Sequence, residues 1–337
     1  MCIRDRSDRD IRCLDGERAA PPEDVGGIAH YEDLLAAARG PAAVREENVA
    51  EAIDFYGLST REDVFDVGWV NETLTRQAAA HAALVTFEQG TQTNHAAGAL
   101  ASAFERLGHE GRLYVAGYLA GARLDDVPEP AVEVAEKGTR VLRLLLGAIG
   151  ESGVPLTSAG YLPPAVVTEL MAVLDPDRNW IGASNREAHT QPLIALREAA
   201  TALGLTRRYG GRFVLTAAGA KLREDPVGLW FHIATRLPLE RGRAEKAIAT
   251  FGLLLIAAGL APETSTFQDE LVLLLTIAGW SLPPAPSENR YLFSHAELTG
   301  HVLDWADSGI LVDRYDSAPT PDTSRPSELL ARTAYAT

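Results

Sequence analysis

Thiols, lysines and long apolar runs are all scarce in this chain. Its 337 residues include two cysteines, Cys2 and Cys13, too few for a disulfide scaffold or for the several thiolates of a structural zinc site. Only three of the 31 basic residues are lysines (Lys137, Lys221, Lys246), which reads as a coding bias with little functional meaning. Positive charge is outweighed: 46 acidic residues set a net charge of -15 and a pI near 5.0. A field of that sign repels nucleic acid and anionic membrane at long range, so a polyanionic partner requires a local basic patch. The most apolar stretches, Ala247 to Leu260 and Leu271 to Ala278, fall short of the roughly 20 residues of a membrane-spanning helix and read as buried helices. The start carries no apolar signal-peptide core. These features predict a cytoplasmic protein with no membrane partner.

Composition is otherwise ordinary, with 46% hydrophobic and 23% charged residues, and the length allows two or three domains with their own cores. Residues 1–6 read as a non-native start, because their codons can spell the transposase end sequence ligated to fragments in library preparation. On that reading Cys13 is the native thiol, and a natural chain would begin upstream.

The first informative run extends from Cys13 to Gly27. Pro21-Pro22 stiffen the approach, Glu23 and Asp24 follow, and Gly26-Gly27 permit positive φ in a turn. A helix is predicted from Tyr31 to Arg39 and another from about Ala42 to Tyr56, before Phe65-Asp66 and Val70-Asn71. Glu23 and Asp24 could form a carboxylate pair for a hard cation, but the flanking proline and glycine favour a capped turn. The pattern C-x-x-G-x-R-A-x-P-P-E-D-x-G-G, then Tyr31, then F-D-x-x-x-V-N-x-x-L resembles the closing portion of plasmid pRiA4b ORF-3-like proteins. The residues that carry it are Cys13, Pro21, Pro22, Glu23, Asp24, Gly26, Gly27, Tyr31 and Asn71. The resemblance implies a partial, compact α+β domain over 7–76 whose β-rich opening portion is missing. It also implies kinship with TnpR-like passengers of insertion elements, but no activity to transfer. Relatives carry further cysteines where this chain has Ala20 and Val25, which argues against a cysteine–metal site.

Residues 77–150 read as a helical connecting region, with helices over Arg76 to Glu88, Ala96 to Leu107 and Ala131 to Ile149. His81, His95 and His109 lack a partner at i+4 and read as surface or capping histidines. Neither G-x-G-x-x-G nor G-x-x-x-x-G-K-[ST] occurs, nor does G-x-S-x-G. Catalytic, cofactor-binding and metal-ligating residues are therefore all assigned as none.

Residues 151–237 resemble a winged-helix unit. Helices are predicted from Ala165 to Leu174 and from Thr190 to Leu203, followed by a hairpin over Leu205 to Tyr209 and Arg212 to Leu215 around Gly210-Gly211. A further helix is capped by Thr216. The phrase L-T-x-A-G occurs at Leu156 and again at Leu215, and Ser308 to Tyr315 loosely echoes Leu203 to Tyr209; two related helix–wing units fit these echoes, which are too short to establish a duplication. From Asp177 to Glu224 eight basic residues face four acidic ones, a local excess that makes Arg207, Arg208 and Arg212 candidate DNA contacts on the wing. The would-be reading helix offers mainly Gln191, Arg197 and Glu198, a poor set for base edges. Residues 238–337 read as a helical C-terminal region with helices near Arg241 to Ala257, Thr264 to Ala278 and His295 to Asp307.

The fold class expected is thus α+β and mainly helical: a partial family domain, a winged-helix-like unit and a helical tail. The function expected first is a non-enzymatic accessory protein that binds a protein partner. A DNA-contacting regulator is the second expectation, and an enzyme with essential groups upstream is the third.

Overall fold

The computed structural model describes residues 3–5, 11–13, 28–39, 47–56, 66–90, 94–282, 292–312 and 325–336. The chain divides into two compact units, residues 1–79 and 80–337.

In the first unit, strands β1 (Ile3–Asp5) and β2 (Ile11–Cys13) pair antiparallel, Ile3 opposite Cys13 and Asp5 opposite Ile11. Helices α1 (Ile28–Arg39) and α2 (Glu47–Phe55) bury Tyr31, Leu34 and Leu35 against Ile53. Three of these side chains recur at i, i+3 and i+4 on α1, the spacing that creates a helix's apolar stripe. Helix α3 (Val67–Gln89) starts where the Asp66 carboxylate accepts the Trp69 N–H at 2.9 Å. It runs unbroken through residue 76, where the sequence suggested a boundary, because Ala78, Ala79 and Ala80 favour helix and nothing there breaks it.

The second unit is almost wholly helical. Its elements are α4 (His95–Phe104), α5 (His109–Ala122), α6 (Val132–Ile149), α7 (Pro164–Leu174), α8 (Gln191–Ala202), α9 (Ala217–Leu222) and α10 (Pro226–Ala234). These are followed by α11 (Arg243–Ala257), α12 (Ser265–Ile277), α13 (Glu297–Ser308) and α14 (Pro326–Ala336). Every residue of α11 from Ile248 to Ala257 is buried, which makes it the central helix. It is apolar all round from Phe251 onward, as a helix surrounded on all sides must be. Helices α4, α5, α12 and α14 pack around it. The last helix is tied in by polar contacts as well: the Tyr335 hydroxyl donates to the Thr250 carbonyl at 2.7 Å, and the indole of buried Trp230 donates to the Thr333 hydroxyl at 3.4 Å.

A small sheet interrupts the helices. Strands β3 (Val154–Pro155), β4 (Thr206–Tyr209) and β5 (Arg212–Leu215) lie in the order β3-β5-β4, all antiparallel. Gly210 and Gly211 both take positive φ, the requirement of a two-residue hairpin turn. One hydrophobic core runs from Ala80 to Tyr335, so the segments set apart in the sequence at 150 and 237 share it. The protein is mainly helical with small sheets, as expected. No helix among the described residues is long and apolar enough to cross a membrane.

Candidate functional site

Three of the motif residues fall on described positions, and two of them meet. The Asn71 Oδ1 accepts the Cys13 N–H at 2.7 Å, and its Nδ2 donates to the Cys13 carbonyl at 2.9 Å. A side-chain amide carries one acceptor and two donors, so it satisfies both polar groups of a strand residue as a neighbouring strand would. Helix α3 thereby closes onto β2, and Cys13 is buried. Tyr31 is buried in the α1–α2 core, and its hydroxyl has no hydrogen-bond partner among the described residues. Pro21, Pro22, Glu23, Asp24, Gly26 and Gly27 lie outside the described residues, so the turn and the carboxylate pair expected there do too.

The hairpin arginines have three different environments. Arg212, at the start of β5, donates from Nε to the Ser152 carbonyl at 3.0 Å and from Nη2 to the Gly153 carbonyl at 2.7 Å. Its guanidinium therefore holds the chain entering β3. Arg208 is exposed, with its guanidinium against Gly160. Arg207 is exposed and lies over the Tyr209 ring, 5.1 Å from its centroid.

Behind the hairpin sits a polar knot that the sequence did not reveal. Glu187, 3% exposed, accepts the Leu162 N–H at 2.5 Å and a charge-assisted bond from Arg197. The Arg197 guanidinium also stacks on Phe213, 4.7 Å from the ring centroid. One buried carboxylate thus joins the loop before α7, helix α8 and strand β5. Arg197 is the only basic residue of α8, and its charge is spent on this knot.

The two copies of L-T-x-A-G do different work. Thr216 caps α9 by accepting the Gly219 N–H at 3.0 Å, while its own N–H reaches the Leu205 carbonyl at 3.0 Å. A Cβ at Gly219 would overlap that carbonyl, so the glycine lets α9 sit against the end of α8. Thr157 instead closes a turn, with its hydroxyl accepting the Tyr161 N–H at 3.0 Å. The second echo ends the same way: after α13 no strand occurs through Val312, and 313–315 lie outside the described residues. The repeated phrase marks a shared preference of threonine and glycine for chain reversals.

His81 and His109, expected as isolated surface residues, line one cavity of about 310 Å³ with Glu88 and Arg112, which pair with each other at 3.1 Å. His95 is exposed, its Nδ1 3.3 Å from the Arg236 carbonyl. Among the described residues no three His, Cys, Asp or Glu side chains gather closely enough to hold a metal ion.

The polar clamp between Cys13 and Asn71 coincides with the ends of a family signature. Residues 2–73 match the plasmid pRiA4b ORF-3-like protein family. The match covers the first unit as far as the start of α3 and includes residues 2–6, whose codons resemble a non-native start. In the pRiA4b ORF-3-like segment, β2 and α3 are thus joined by residues from opposite ends of the matched span. No curated protein matches the chain, and no solved structure matches it.

Proposed function

We propose that the chain is a non-enzymatic, cytoplasmic accessory protein, related to mobile-element passengers, that binds a protein partner through a winged-helix-like segment. The family match supports the kinship. The succession α6, β3, α7, α8, β4, β5 with the sheet order β3-β5-β4 supports the winged-helix reading of 151–237 together with the helix that precedes it.

The observation that carries protein over DNA is the engagement of Arg197. A helix that enters the major groove needs side chains free to reach base edges. On α8 the one arginine is tied to Glu187, and the exposed side chains are Gln191, Glu198 and Thr201. Glu198 faces solvent with the same sign of charge as a phosphate. Exposed apolar side chains are instead plentiful in this segment: Tyr161, Val173, Ile181 and Tyr209. Exposed aromatic side chains such as Tyr161 and Tyr209 are of the kind that protein interfaces use.

A DNA-contacting regulator is the second reading, favoured by the exposure of Arg207 and Arg208 on the hairpin. The experiment that separates the two is anisotropy of a labelled duplex titrated with the full chain at low and moderate salt. The protein reading expects weak binding that Arg207→Ala/Arg208→Ala leaves unchanged. Tight binding that weakens steeply with salt, and is lost in that variant, would establish the DNA reading.

A further inference from the structure

The second cavity of the larger unit, about 370 Å³, has a lining unlike the rest of this acidic chain. Arg106, Arg241, Arg243 and Lys246 all line it, together with His95 and Trp280, and among the described residues no carboxylate does. The cations come from separate places: Arg106 follows α4, while Arg241, Arg243 and Lys246 surround the start of α11. None of the four forms an ion pair among the described residues. We infer that this cavity binds the diphosphate group of a small phosphorylated compound.

Gathering four like charges around one concavity raises the free energy of the empty protein, and a chain of net charge -15 has acids enough to neutralise them. Glu105, next to Arg106, does not line the cavity, and the two acids beside the α11 cations are held away from it. Glu240 accepts the Thr299 N–H at 2.8 Å and the Thr299 hydroxyl at 2.5 Å. Glu245 folds back onto Gly242 at the head of its own helix and does not line the cavity. The positive charge is therefore left facing the space, where an anion would complete it.

The geometry suits phosphate in particular. Guanidinium groups present planar donor forks that match phosphate oxygens, and three of the four cations are arginines. Arg106 is held over the Trp280 ring, 5.3 Å from its centroid, which orders its fork before any ligand arrives. The first turn of α11 adds little, because the Glu245 carboxylate already sits against Gly242 at that helix's positive end. The cavity volume lies in the range of small-molecule sites, roughly 300–1,000 Å³, which favours a compact ligand over a nucleic-acid strand. Inorganic pyrophosphate and a nucleoside diphosphate share the required chemistry.

Isothermal titration calorimetry of the full chain with pyrophosphate, ADP and adenosine tests the assignment. Pyrophosphate, ADP or both bind at micromolar concentration, and adenosine does not. Tighter binding of ADP identifies a nucleotide ligand, and equal or tighter binding of pyrophosphate identifies the inorganic anion. Arg243→Gln/Lys246→Gln weakens binding by about tenfold or more, since each change removes a charge-assisted contact. Arg106→Gln, from the turn after α4, acts in the same direction, and the melting temperature of each variant checks that the fold is intact. Absence of heat with both anions at millimolar concentration, affinity unchanged in both variants, or binding restricted to a single-stranded oligonucleotide would overturn the proposal.

Discussion

The side-chain amide of Asn71 holds the backbone of Cys13 by both its polar groups, at 2.7 and 2.9 Å, across 58 residues of sequence. The contact uses the Cys13 peptide and leaves its thiol out of the clamp. Asn71→Ala removes both bonds to the partly buried Cys13 peptide, a loss of about 1–3 kcal/mol in the first unit. Hydrogen exchange at the Cys13 amide reads this directly: protection drops in Asn71→Ala and persists in Cys13→Ala.

The knot of Glu187 and Arg197 should be among the costliest to break in the larger unit. Their side chains are 2% and 13% exposed, so removing either leaves a buried charge without its partner. Glu187→Ala and Arg197→Met are each expected to cost about 3–5 kcal/mol in denaturant unfolding. Glu187→Gln keeps an acceptor for the Leu162 N–H and loses the charge pair, and its cost falls between that of Glu187→Ala and the wild type. Unfolding midpoints indistinguishable from wild type would show that the knot contributes nothing.

Thr216 and Gly219 separate a cap from a close approach. Thr216→Ala gives up the side-chain cap of α9, about 1 kcal/mol. Gly219→Val forces a branched side chain into the Leu205 carbonyl, whose carbon would stand 3.0 Å from the new Cβ. Thermal melts should show a small shift for the first change and loss of the cooperative transition for the second.

Stability should fall on mild acidification. Burial holds the His232 imidazole below its usual value of 6.5, partly offset by its bond to the Leu203 carbonyl and reinforced by Arg236. Burial likewise lowers His301, with Glu297 acting against it. A histidine with a depressed folded value takes up its proton more readily when unfolded, so its stabilising effect is present above 6.5 and is lost as pH falls through that value toward the folded one. The melting temperature should drop between about pH 7.5 and about pH 5.5, and His232→Gln/His301→Gln should flatten that dependence. Burial raises the Asp307 carboxyl, which shifts stability the other way on the acid side. Comparison of the double variant with wild type therefore isolates the histidines.

Local chemistry carried much of the fold in the sequence. The glycine pair at 210–211 and the flanking β-formers produced the hairpin, and Thr216 capped its helix where expected. Helix α5 was hidden because Gly111, Gly117 and Gly121 dilute its pattern, although Val115, Ala116, Leu119 and Ala122 are buried. Helix α14 was hidden by its proline-rich approach, yet Pro326 sits at its first position, where a missing N–H costs nothing. The functional groups were harder to read. Cys13 and Asn71 were each visible as motif residues, but a bond from side chain to backbone leaves no periodicity linking them. Arg197 and Arg212 looked like surface charge, since nothing in their neighbourhood in sequence announces Glu187 or the Ser152 and Gly153 carbonyls as partners. The cations at 106 and 241–246 converge only when α4 packs on α11.

The proposal that the winged-helix-like segment meets protein is tested most directly by site-specific photocrosslinking. A benzophenone side chain is placed at Tyr209 or at Ile181, which is fully exposed, and the adducts formed in cells are divided by nuclease and protease sensitivity. Discrete adducts that resist nuclease and disappear with protease are the predicted result, absent when the same group is placed at exposed Leu273 on α12, outside the segment. Adducts that nuclease removes, or none from either position, would contradict it.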